Sequence, residues 1–182
     1  MNQKIKTPWY EYYNGVSPHL EYPDISMYQI LHTSVLKHPD YISYNYYGKK
    51  KSYKQFIKQV DDCAKAFKAL GVNAKDRVSI CMPNIPEAII SFYALNKIGA
   101  VANMIHPLSS EQEIKYYLTV SESKFAVTTE VSYEKIIQVA KETNLKNCIL
   151  ASIGNFMPLP LKVGYWLTKG RKYKIDKIPT ST

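Results

Sequence analysis

Residues 77–105 read RVSICMPNIPEAIISFYALNKIGAVANMI, and the fold turns on this stretch. A short run of small and β-branched residues begins at Val78 and breaks at Pro83 and Pro86. A nearly uncharged stretch of helix length, residues 85–98, then ends at Gly99, and a second apolar run follows over residues 100–105. Strand, helix and strand at this spacing give two parallel strands joined by a right-handed crossover. The unit repeats, because apolar strands begin near Val78, Ala100, Phe125 and Asn147, about 22 to 25 residues apart. Each gap holds a helix with a start signal: Asn84 with Glu87, Ser110 with Glu113, and Ser132. The strands lack in/out alternation, as expected where both faces of a sheet are covered. No Leu-x-x-Leu-x-Leu signature supports a solenoid of the same period. The pattern predicts an α/β fold, a doubly wound, mostly parallel sheet flanked by helices. Helix 85–98 has only Glu87 and Lys97 as charges and is predicted to be the most buried, with Ile89 in the core.

Upstream the periods are equally plain. Ser26 with Gln29 opens a helix that places Met27, Ile30, Leu31, Ser34 and Val35 on one face, and Pro39 closes it. Residues 41–47 alternate as a strand, and Gly48-Lys49-Lys50 turns the chain back. Ser52 with Gln55 opens a second helix, carrying Phe56, Ile57, Val60, Cys63, Ala64, Phe67 and Leu70 at helical spacing until Gly71 stops it. Asp61 and Asp62 fall on its solvent face. Residues 1–25, with Trp9, Tyr10, Tyr12 and Tyr13 and three prolines, have no period and read as an arm lying over the domain. Residues 26–152 form the α/β core, and residues 153–182 a basic amphipathic tail or linker.

Composition narrows the function classes. In 182 residues, 46% apolar and 21% charged, a packed core is available and wholesale disorder is excluded. Of a net charge of +9, +5 falls in residues 151–182. All but two of the 24 basic residues are Lys, the exceptions being Arg77 and Arg171. Arg is the residue that reads phosphate and guanine bidentately, so no nucleic-acid partner is expected. Cys63, Cys81 and Cys148 have no metal-binding spacing and read as reduced residues of a cytoplasmic protein. Neither a membrane span nor a signal peptide is expected. The apolar residues after Leu159, beside the cations of the tail, leave two readings open: contact with a membrane surface, or packing on the domain.

Ligands of such sheets bind beyond the carboxyl ends of the strands. Residues 164–170 imitate a phosphate loop with the wrong spacing, and Trp166 and Leu167 would block approach of the backbone. No Gly-x-Gly-x-x-Gly supports a Rossmann-like oxidoreductase. No Ser–His–Asp set, nucleophile elbow or metal-spaced cluster is present, so no catalytic or metal-binding residue is assigned. His106 is the one candidate for substrate binding. It follows the strand at 100–105 and precedes Pro107, where an imidazole meets a ligand or simply bonds the local backbone.

Several segments, in order, resemble the N-terminal part of the adenylate-forming (AMP-binding) acyl-CoA synthetases, specifically fatty-acid–CoA ligases. They are Lys51-Ser52-Tyr53-Lys54-Gln55-Phe56, Leu70-Gly71-Val72 with Asp76-Arg77-Val78, Met82-Pro83-Asn84 with Glu87, and Ala94-Leu95-Asn96-Lys97-Ile98-Gly99-Ala100-Val101. Pro107-Leu108-Ser109, Glu113-Ile114 and Phe125-Ala126-Val127 continue the likeness. Where many members have Asn before the proline, this chain has His106. The resemblance implies a parent enzyme that joins a fatty acid to AMP with ATP and Mg²⁺ and then transfers the acyl group to coenzyme A. It also implies that the family's nucleotide loop, ribose-binding Asp and catalytic Lys lie beyond this sequence. The chain is therefore expected to be a truncated front part, binding no cofactor itself and inactive alone, with the missing C-terminal remainder of the synthetase as its partner. The alternative is a stand-alone, non-catalytic interaction domain using its Tyr-rich arm or basic tail.

Overall fold

The computed structural model describes residues 7–168. In chain order the elements are α1 (Met27–Lys37), β1 (Ile42–Tyr46), β2 (Lys49–Ser52), α2 (Tyr53–Ala69), β3 (Arg77–Cys81), α3 (Pro86–Lys97), β4 (Val101–Ile105), α4 (Glu111–Ser121), β5 (Phe125–Thr128), α5 (Glu130–Ala140), β6 (Asn147–Leu150) and α6 (Leu159–Thr168), with a 3₁₀ turn at Pro8–Tyr12. Three capping boxes form as the sequence predicts. Ser26, Ser52 and Ser110 each accept from the amide three residues on, and the side chains of Gln29, Gln55 and Glu113 return the bond. Two start signals do not form. Pro86 takes the first helical position of α3, so the cap falls on Ile85 and the Asn84–Glu87 spacing is one residue out of step. Helix α5 begins before Ser132, whose hydroxyl instead donates to the Pro107 carbonyl at 2.8 Å.

Strands β3 to β6 make one parallel sheet in the order β4-β3-β5-β6, so the winding reverses beside the central β3. Alternate strand residues feed two separate cores, as the two-residue strand period requires. Val78, Ile80, Phe125 and Val127 pack with α1, α2 and α3, while Cys81, Ile105 and Ala126 pack with α4 and α5. The doubly wound α/β fold is thus present. Strands β3 and β5 are buried along nearly their whole length, but β4 lies at the edge and leaves Val101 and Met104 exposed. Strands β1 and β2 form a separate antiparallel hairpin through Tyr47 and Gly48, both at positive φ, the geometry of a two-residue hairpin turn.

Among the described residues, helix α3 has more buried positions than any other helix, including Ala88, Ile90, Ser91, Ala94 and Leu95. Ile89, however, is 45% exposed on its outer side, so the core assignment of that residue is corrected. A helix apolar on nearly every side gives no period from which to read its inner face. Asp61 also departs from its reading as a solvated residue: it accepts from Lys97 Nζ at 2.6 Å and from the Tyr28 hydroxyl at 3.0 Å. Residues 8–25 are all exposed, in contrast to an arm packed on the domain. Their rings meet one another instead, Tyr10 touching Trp9, Tyr13 and His19. In the tail, α6 has no fully buried residue: Tyr165 is half-buried, while Leu159, Leu161, Val163, Trp166 and Leu167 remain exposed. The tail's residues 169–182 lie outside the described residues.

Candidate functional site

The winding of the sheet reverses between β3 and β5, and the loops at their carboxyl ends open a cleft of about 440 Å³ there. Its walls are Met82, Pro83 and Asn84 from the β3–α3 loop, His106, Pro107 and Leu108 from the β4–α4 loop, and Val131 of α5. Met82 and Ile85 are buried and anchor the first loop. The second is clamped by α5, through Ser132 to the Pro107 carbonyl and through Lys135 Nζ to the Ser109 carbonyl at 2.9 Å. Thr128 ties the strands together by donating to the Cys81 carbonyl at 3.0 Å.

His106 stands on this rim, exposed, as the sequence places it. Its Nδ1 accepts from the Leu108 amide at 3.2 Å, and its carbonyl accepts from the Ser109 amide at 3.0 Å. The local backbone bond is therefore present. It does not exhaust the ring, because a neutral imidazole with Nδ1 as acceptor carries its proton on Nε2.

A second cleft, of about 370 Å³, runs between α2, α3 and strands β5 and β6. It is almost wholly apolar, with Phe67, Ile90, Val127, Ile149 and Phe156 among its walls, and Glu87 belongs to it. Both carboxyl oxygens of Glu87 are buried without a partner among the described residues. Burial pushes this acid up to about 7. Its own backbone amide pulls the other way, and the charge of Glu130 adds to the rise. Burial likewise holds the Cys63 thiol, at the same cleft, up to about 11, so it is not a ready nucleophile. Sequence reasoning assigned Glu87 to a helix cap. The available signal was a lone acid in an otherwise apolar first turn.

The residues described do not fit a triphosphate at the carboxyl end. Pro83, Pro86 and Pro107 remove three amide donors from the loops that would face it. Among the described residues no glycine lies in the β3–α3 or β4–α4 loop, and Gly164 sits inside α6. No group of three His, Cys, Asp or Glu side chains arranged for a metal occurs among the described residues either. A larger hollow of about 660 Å³ opens at the opposite, amino end of the strands. Its charges are largely mutual, with Arg77 paired to Glu122 and Lys124 to Asp76, so it presents no concentrated field to a ligand.

Comparison with known proteins places this geometry. Over 170 residues the chain is 27% identical to a long-chain-fatty-acid–CoA ligase of Bacillus subtilis, an alignment covering 93% of this chain and 30% of that ligase. It is 32% identical over 105 residues to acetyl-coenzyme A synthetase 1 of Debaryomyces hansenii, covering 56% of this chain and 16% of that protein. The chain thus spans less than a third of the length of these curated relatives. Among solved structures, a long-chain-fatty-acid-CoA ligase from Archaeoglobus fulgidus superposes with a TM-score of 0.68 at 20% identity, over 74% of this chain and 29% of that one. The N-terminal domain of a Mycobacterium tuberculosis protein, FACL13, superposes at 0.66 with 22% identity, over 87% and 39%. These superpositions establish the shared fold. The profile of the AMP-binding enzymes matches residues 31–161, and with the parallel sheet and its order it makes this chain a member of that family, corresponding to the N-terminal region of its ligases.

Proposed function

We propose that residues 26–152 build the first sheet of an ATP-dependent fatty-acid–CoA ligase and one wall of its substrate cleft. The parent reaction joins a carboxylate to AMP with release of pyrophosphate and then passes the acyl group to the thiol of coenzyme A, with Mg²⁺ as the nucleotide's counter-ion. The observation that carries this reading is the alignment of 93% of the chain with the Bacillus subtilis ligase. A fatty acid is favoured over acetate because the acetyl-coenzyme A synthetase of Debaryomyces hansenii aligns with only 56% of the chain. In this reading His106 offers Nε2–H to the substrate across the 440 Å³ cleft. The rest of the synthetase is the partner that supplies the phosphate-binding loop, the ribose carboxylate and the catalytic lysine. The chain alone is inactive, since removing even one preorganised donor costs about 10²–10³ in rate. A cytoplasmic setting is part of the proposal and rests on the free thiols of Cys63, Cys81 and Cys148.

The test is fatty-acid-dependent exchange of pyrophosphate into ATP, measured on residues 1–182 and on the same chain extended along its downstream reading frame. Exchange is expected from the extended chain only, and His106→Ala in it should raise the KM for the fatty acid several-fold without changing the melting temperature. Exchange from residues 1–182 alone would overturn the inactivity. A stop codon directly after Thr182 would favour the stand-alone interaction domain.

A further inference from the structure

We propose that α6 is a docking element for an anionic lipid surface, a role that goes beyond the ligase reading and does not depend on it. Leu159, Val163 and Leu167 follow one another at four-residue spacing and so form a single row along the helix. They are 75%, 49% and 52% exposed, although each is aliphatic. The helix is seated on the body by a different side. The stem of Lys162 and the ring of Tyr165 lie against Gly154, where an added Cβ would stand 3.6 Å from the one and 3.7 Å from the other. The aliphatic row therefore faces away from the domain.

Charge selects the occupant. No acid occurs between Glu142 and Thr168, and Lys162 lies on α6 itself. In the sequence beyond it Lys169, Arg171, Lys172, Lys174 and Lys177 follow, against the single acid Asp176. A second copy of this chain would bring like charge against like charge. An anionic bilayer matches both features at once: acyl chains receive the aliphatic row and headgroups receive the cations. Ten residues make a helix about 15 Å long, half the thickness of a hydrocarbon core, so α6 lies in the interface and does not cross it. Among the described residues no helix is long and apolar enough to cross a membrane.

The experiment is sedimentation of the 182-residue chain with vesicles of phosphatidylcholine, alone or with about 30% phosphatidylglycerol, at roughly 50 mM and 500 mM salt. Partitioning should be at least about tenfold stronger onto the anionic vesicles, and most of that difference should vanish at high salt. The combined change Leu159→Asp, Val163→Asp and Leu167→Asp should abolish binding while leaving the melting temperature in place, since all three residues are exposed. Val120→Asp, at an exposed apolar position on α4, should leave binding intact. Binding that ignores lipid charge and salt, that survives the triple change, or that is lost equally with Val120→Asp would overturn the proposal. So would absence of binding to either vesicle. Concentration-dependent dimerisation abolished by the triple change would overturn it too, and assign the row to a second copy.

Discussion

Helix α3 carries one acid, Glu87, in its first turn and one base, Lys97, in its last, and the fold treats them in opposite ways. Both signs suit the helix dipole. Lys97 is fully engaged: its Nζ is 2.6 Å from Asp61 Oδ1 and 4.8 Å above the ring of Tyr28. Tyr28 in turn donates its hydroxyl to Asp61 and its amide to Asn96 Oδ1 at 2.8 Å, so α1, α2 and α3 are pinned together at that end. Gly99 completes it at φ 74, its amide donating to the Asn96 carbonyl while the amide of Ala100 reaches Leu95. Glu87 has nothing comparable, and its oxygens are buried and unpaired among the described residues. One end of the helix is structural. The other, where the chain turns up from the carboxyl end of β3, holds an acid whose ionisation the fold opposes, and perturbed carboxyls of this kind cluster at functional ends of folds.

The sharpest way to break this comparison is through the part of α3 common to both ends. Leu95 is fully buried, so Leu95→Ala should cost about 2–5 kcal/mol in urea unfolding. Ile89→Asp, on the outer side of the same helix, should cost about 0.5 kcal/mol or less. Similar costs for the two would mean that the helix is rotated from the position described.

The next largest effect is at the acid end, and it depends on pH. Glu87 holds its proton up to about 7 when folded, against an ordinary value of 4.5. Below pH 4.5 the acid is protonated in both states and costs nothing. As the pH rises from 4.5 to 7 the unfolded chain ionises while the folded protein does not, so folding stability falls, by about 1–2 kcal/mol once solvent screening is allowed for, and levels off above 7. Glu87→Gln should therefore flatten the stability profile between pH 5 and 8 and be the more stable protein at pH 8. Parallel profiles for the two proteins would show that Glu87 is not the group responsible.

The smallest effect lies at the base end. Lys97 and Asp61 are each about one-third exposed, so a double-mutant cycle of Lys97→Met and Asp61→Asn should give a coupling of about 0.5–1 kcal/mol. A coupling near zero would remove the contrast between the two ends.

The strand–helix alternation was legible because each crossover keeps its own punctuation. Serine caps at Ser26, Ser52 and Ser110 and stops at Gly71 and Gly99 need only local bonds. Legibility failed where two local signals competed or a distant group decided the outcome. Pro86 moved the start of α3 by a residue, and Ser132 was taken by the Pro107 carbonyl. Asp61 was drawn from solvent by side chains of two other helices. At the candidate site the position of His106 could be read from the strand that precedes it, and its bond to the Leu108 amide is local. The burial of Glu87 could not, because the cleft around it is assembled from α2, α3, β5 and β6, which lie far apart in the sequence.

The contrast between the two ends of α3 is tested most directly by titrating the side-chain carboxyl of Glu87 with carbon-detected NMR on selectively labelled protein. A midpoint near 7 is expected, since burial without a partner opposes ionisation and the charge of Glu130 adds to it. A midpoint at the ordinary glutamate value, near 4.5, would contradict it, because the carboxyl would then reach water or a donor and the two ends of α3 would be alike.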